Sequence, residues 1–143
     1  MIEEDYTVNF FQFCQALKMH DQWAAYELLS LMNRRDNVFV LQEDHSKIGA
    51  ASQLLSQYSV VITQRYHGIV LSEMTQTPYI SLYHHDKLKP SHSNNGKFIS
   101  YYGLSKRDMI NAFNLSLKID FANSLPIESN TFKTFSEKVI GLI

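Results

Sequence analysis

The feature that most constrains this chain is a series of short, unbroken apolar runs separated by helix-spaced segments. Val38-Phe39-Val40-Leu41, Val60-Val61-Ile62-Thr63 and Pro78-Tyr79-Ile80-Ser81-Leu82-Tyr83 are the runs. Between them, Ile48, Ala51, Leu54 and Leu55 recur at helical spacing, and so do Ile69, Val70 and Met74. A strand with no polar alternation is one covered on both faces. Strand, helix, strand, helix, strand with short links calls for parallel strands joined by right-handed crossovers. The expected fold is therefore α/β: a Rossmann-like three-layer domain with these three strands as neighbours in a parallel sheet and helices on both faces.

The flanking segments fit that plan less tightly. The first third reads as helical. Phe10, Phe13, Cys14 and Leu17 share a helical spacing, as do Trp23, Tyr26, Leu28, Leu31 and Met32 after a break expected at His20-Asp21. Asn33 to Asn37 reads as a turn, and Ser46 as a helix cap. The polar stretch His84 to Gly96 is too long for a tight turn, so it reads as a functional loop that is mobile without substrate. Phe98 to Leu104 fits a strand or a helix equally. Ser105 with Asp108 has the spacing of a capping box, opening a helix whose core side is Met109, Ile110, Phe113 and Leu117. A last helix is expected from about Asn130, with Phe132, Phe135 and Val139 on one side.

Size and charge narrow the function. A chain of 143 residues suits a single domain, 1–143. A formal net charge of −1 argues against a general electrostatic grip on nucleic acid or anionic membrane, while leaving room for a local basic pocket. Cys14 is the only cysteine, which forbids an internal disulfide and suits a reducing compartment; it reads as core. The start, Met1 to Asp5, is acidic where a secretory signal is basic and then apolar, and no apolar run is long enough to span a bilayer. A cytoplasmic protein without a transmembrane segment is expected.

The segment with most chemical content is Val60 to Gly68, a buried strand running into a helix. In open parallel sheets, ligands bind beyond the carboxyl ends of the strands. A helix starting there offers unpaired amides and a positive dipole end, which suit an anion. Arg65 adds a forked donor matched to carboxylate or phosphate, and His67 adds a second donor and a proton carrier. The plainer reading pairs Arg65 with a nearby acid and leaves His67 as a cap or a satisfied core residue. His84, His85, Asp86 and His92 match no zinc spacing, so no metal is expected. Glu43, Asp44 and His45 follow the first run, where they either reach a ligand at the sheet edge or form a polar turn.

The ordered set of strand, Arg65-Tyr66-His67, apolar helix, Pro78-led strand and Tyr83-His84-His85-Asp86-Lys87 resembles the polysaccharide pyruvyl transferase family. The close resemblance covers Val60 to Lys87, and Phe98 to Leu104 is weakly similar to the next segment of the family pattern. It implies two Rossmann-like domains arranged as in GT-B glycosyltransferases, with this chain as the C-terminal one and the N-terminal domain absent. No opening strand is evident before Tyr6. A missing partner domain or a homo-oligomer is therefore expected, and little activity from the chain alone. The implied reaction is pyruvyl ketal formation on a sugar of an exopolysaccharide or cell-surface polysaccharide. The donor substrate is phosphoenolpyruvate, with no cofactor. Carried onto this sequence, Arg65 and His67 bind the donor, His67 is the candidate acid, and Lys87 and Asp86 are further substrate contacts. Tyr83 is read as packing. Two rivals use the same pattern: a glycosyltransferase half that binds a nucleotide sugar, and a non-catalytic interaction domain in polysaccharide biosynthesis.

Overall fold

The computed structural model describes residues 6–11, 18–41, 48–85, 88 and 96–119. In chain order these hold β1 (Val8–Phe10), α1 (Lys18–Leu31), β2 (Val38–Val40), α2 (Ile48–Leu55), β3 (Val61–Thr63), α3 (Tyr66–Met74), β4 (Tyr79–Tyr83), β5 (Gly96–Ser100) and α4 (Lys106–Ser116). Every strand pairing is parallel, as the apolar runs require. β1 pairs with β2, and β3, β4 and β5 form a second sheet in that order. Tyr83 lies opposite Ser100, so β4 and β5 end together, whereas Thr63 lies opposite Ser81, so β3 ends two residues earlier at the same edge.

Helices cover both faces of the larger sheet. On one face Ala51 and Leu55 of α2 and Ile69 and Leu71 of α3 pack with Val61, Tyr79 and the loop residue Leu88. On the other face Ala112 and Phe113 of α4 pack on Ile80, with Tyr6 set edge-on to Phe113 at 5.1 Å. Alternation along β4 makes this possible, because Tyr79 and Ile80 point to opposite sides and are both fully buried. Tyr79 also needs Gly96 opposite it: its ring fills the space that a Cβ there would take. Its hydroxyl donates to Glu73 at 2.7 Å.

The ends of two helices are fixed as elementary capping chemistry demands. Ser105 accepts from the Asp108 amide at 3.1 Å while Asp108 accepts from the Ser105 amide, which completes the expected capping box. At the end of α3, the Thr77 amide donates to the Ser72 carbonyl and the Gln76 amide to that of Glu73. This closure places Gln76 at φ 54°, a left-handed position that usually goes to glycine.

Several expectations are corrected. Phe10 belongs to a strand rather than a helix, and that strand, β1, is the ladder partner of β2. β2 is therefore not hydrogen-bonded to β3; only β3 and β4 among the three apolar runs are ladder neighbours. α1 runs through His20-Asp21 without a break. Its large apolar residues are not its core side: Trp23 is 70 % and Leu31 75 % exposed, while the small Ala25 is buried. Gly96 to Ser100 is a strand, which resolves the ambiguity there in favour of an extended edge. On α4, Phe113 is core as expected, but Ile110 and Leu117 are exposed and Ala112 and Ser116 are buried. Phe13, Cys14, Leu17, Ser46, most of the His84–Gly96 loop and the helix expected near Asn130 lie outside the described residues.

Candidate functional site

The carboxyl end of β3 turns into α3 through two residues, Gln64 and Arg65. A threonine at the strand end organises this turn. The Thr63 hydroxyl oxygen accepts the Arg65 amide at 3.0 Å, and the same hydroxyl lies 3.3 Å from the Arg65 carbonyl oxygen as donor. Such a local side-chain bond substitutes for a backbone turn. The Arg65 carbonyl also accepts the Ile69 amide at 3.3 Å, which starts α3. A Cβ on Gly68 would collide with the Thr63 side chain, so the helix start sits directly against the strand end.

Arg65 is the N-cap residue of α3, in extended geometry, and makes no side-chain cap bond. Tyr66, His67 and Gly68 follow as the first turn, whose amides have no partner inside the helix. Arg65 and His67 are both exposed at this corner. The two residues singled out from the sequence are thus brought to one strand-to-helix junction. Tyr83 ends β4, half-buried against the core, which agrees with a packing role. Asp86, Lys87, His92, Glu43, Asp44 and His45 lie outside the described residues. Among the described residues no cluster of histidine, cysteine, aspartate or glutamate is placed to hold a metal, and no helix is long and apolar enough to cross a membrane.

A cavity of about 250 Å³ opens where the two sheets meet. Asn9 and Phe11 line it from β1 and the residue after it, Leu41 from the end of β2, Ala25 from α1, and Ile62 and Arg65 from the end of β3. Phe11, the residue after β1, packs against the core cluster that contains Val61 of β3. The cavity lies beyond the carboxyl end of β3, the edge at which α/β sheets bind ligands. Among the described residues that line the cavity Arg65 is the only charged one. The sequence pattern missed Thr63, Asn9 and Phe11. A threonine two residues before a polar helix start is a recognisable turn signal, whereas Asn9 and Phe11 are found only once β1 is known to be a strand.

The fold and the corner define an α/β protein with Arg65 at a strand-to-helix junction, beside a cavity lined by both sheets. The polysaccharide pyruvyl transferase family model matches residues 1–86, and the chain belongs to that family. The match takes in β1, β2, β3, β4 and the Arg65–His67 turn. None of the curated proteins and none of the solved structures compared with it matches.

Proposed function

We propose that this chain supplies the donor-binding domain for pyruvyl transfer from phosphoenolpyruvate to a polysaccharide sugar. The observation that carries this reading is the position of Arg65, the one charged residue among those described around the cavity between the sheets, at the start of a helix. A small phosphorylated carboxylate matches those features. The guanidinium forks onto an oxyanion, and the first-turn amides of α3 and the helix dipole add to it.

In the reaction, a proton adds to the methylene carbon of phosphoenolpyruvate, which becomes the methyl group of the ketal. Positive charge develops at the central carbon, and two hydroxyl oxygens of the sugar bond to it. The carbon–oxygen bond to phosphate breaks and inorganic phosphate leaves. Of the two hydroxyl protons released, one balances the proton on the methyl group and the other leaves with phosphate. Arg65 stabilises the departing phosphate, the largest build-up of charge in the reaction. His67, exposed in the first turn of α3, is the candidate to deliver the proton. Lys87 is assigned as a further donor contact, and Asp86 as the group that orients Lys87 or His85, by their place in the sequence resemblance.

The test is ligand-dependent melting of the 143-residue chain with phosphoenolpyruvate and, separately, with a nucleoside diphosphate. A ligand that binds only the folded state raises the melting temperature in proportion to ln(1 + [L]/Kd). Stabilisation by phosphoenolpyruvate is expected. Stabilisation by the nucleoside diphosphate alone would overturn the donor assignment in favour of a nucleotide sugar.

A further inference from the structure

Gly68 is an unfavourable residue for the place it holds. It lies in the first turn of α3, and only proline is a poorer helix former than glycine. Its backbone does not call for glycine either, because among the described residues Gly103 is the only glycine with a positive φ. What the position lacks is room. A Cβ on Gly68 would overlap the Thr63 hydroxyl oxygen, and would stand 2.9 Å from the Thr63 Cβ and 3.2 Å from its methyl carbon.

The surroundings hold both partners where they are. Ile69, the next residue, is buried in the cluster that contains Val61, two residues before Thr63 on β3. Backing α3 away from the strand would open that cluster. One turn further on, the fully buried Ser72 donates its hydroxyl to the Gly68 carbonyl at 2.7 Å. Thr63 is itself buried, and its hydroxyl accepts the Arg65 amide at 3.0 Å. The cheapest relief for an added Cβ is rotation of the Thr63 side chain. That rotation is also the motion that withdraws the hydroxyl from Arg65.

We propose that Gly68 is a positioning residue for donor binding, an inference that rests on the donor reading above. Having no side chain, it leaves the Thr63 hydroxyl in the place from which it fixes the Arg65 backbone. Gly68 acts through Thr63 and Arg65, without touching the donor. The test compares Gly68→Ala, Thr63→Gly and the two combined, in the 143-residue chain. Each is measured for phosphoenolpyruvate affinity by calorimetry, well below its melting temperature, and for exchange of the Arg65 amide by NMR. Gly68→Ala should weaken binding about fivefold and speed Arg65 exchange by a similar factor, the scale of one net hydrogen bond. Thr63→Gly should do the same. Both substitutions break one linkage, so adding Gly68→Ala to Thr63→Gly should cost no further affinity.

A glycine that serves helix packing alone would lower the melting temperature of Gly68→Ala and leave affinity and Arg65 exchange at wild-type values. That result overturns the proposal. A further loss of affinity in the combined variant also overturns it, since Gly68 would then act on the ligand directly. The clash is absent from the combined variant, so its comparison with Thr63→Gly decides the matter if Gly68→Ala alone does not fold. A wild type that ignores phosphoenolpyruvate, while Arg65 exchange responds as expected, overturns the donor reading and leaves the Gly68–Thr63–Arg65 linkage standing.

Discussion

Thr63 and Arg65 are joined at both polar groups of the Arg65 backbone: the Thr63 hydroxyl accepts the Arg65 amide at 3.0 Å and faces its carbonyl at 3.3 Å. This fixes the direction in which the chain leaves β3 and so the point from which the guanidinium projects. Thr63→Val keeps the volume and removes both bonds. The expected cost is about 1 kcal/mol of stability, the net worth of a typical intramolecular hydrogen bond. Weaker phosphoenolpyruvate binding should accompany it. Thr63→Ser keeps the hydroxyl and should preserve affinity. Chemical unfolding and calorimetry on the pair check this; a loss in Thr63→Ser with none in Thr63→Val would mean that the threonine methyl, not its hydroxyl, holds the turn.

Much of this corner is legible in the sequence. The run Val61 to Thr63 is apolar without alternation, which predicts cover on both faces; the structure buries Val61 and Thr63 but leaves Ile62 40 % exposed, so one face of β3 is open. Arg65 and His67 are near the helix start because strand ends and helix starts follow directly from the change of period. β1 is hidden, since Val8-Asn9-Phe10 is three residues long and Phe10 also falls on a helical spacing with Phe13 and Cys14. Without β1 the cavity between the sheets is invisible too, because Asn9 and Phe11 form one wall of it. The face of α1 misleads for a different reason. Hydrophobic spacing marks Trp23, Tyr26, Leu28 and Leu31 as core, yet close approach to the sheet favours the small Ala25, and the large side chains stay outside.

Tyr58 gives a pH test of the contact between the two sheets. Its phenol is pushed above the ordinary tyrosine value of 10.0 by burial, opposed by a hydrogen bond with the Asn9 side chain of β1. Between pH 10.0 and that raised value, the folded chain keeps a proton that the unfolded chain has lost. Stability then falls with rising pH, because the native state binds more protons. The contribution is complete below the ordinary value and is lost as pH rises through the folded one. Melting temperatures taken from about pH 8 to about pH 11 should therefore decline at the alkaline end. Tyr58→Phe should make that decline shallower. An identical alkaline slope in the variant would show that Tyr58 does not report on the junction.

Arg65 and His67 are separable by what each contributes. Arg65 is assigned to hold the anion, so Arg65→Ala should lose about 1.5–3 kcal/mol of phosphoenolpyruvate binding, the scale for a hydrogen bond to a charged group. Arg65→Lys should recover only part, since lysine keeps the charge and loses the fork. His67 lies two residues further into α3 and is assigned the proton. His67→Asn keeps a donor amide, so binding should largely survive, while pyruvyl transfer, measured in the full enzyme with its partner domain, should fall about 100-fold or more. Both side chains are exposed, so neither substitution should remove core packing, and melting temperatures measured alongside separate loss of ligand from loss of fold. Affinity unchanged in Arg65→Ala, with phosphoenolpyruvate binding intact in the wild type, would move the donor away from the end of β3. Turnover unchanged in His67→Asn would move only the acid and leave the anion site where it is.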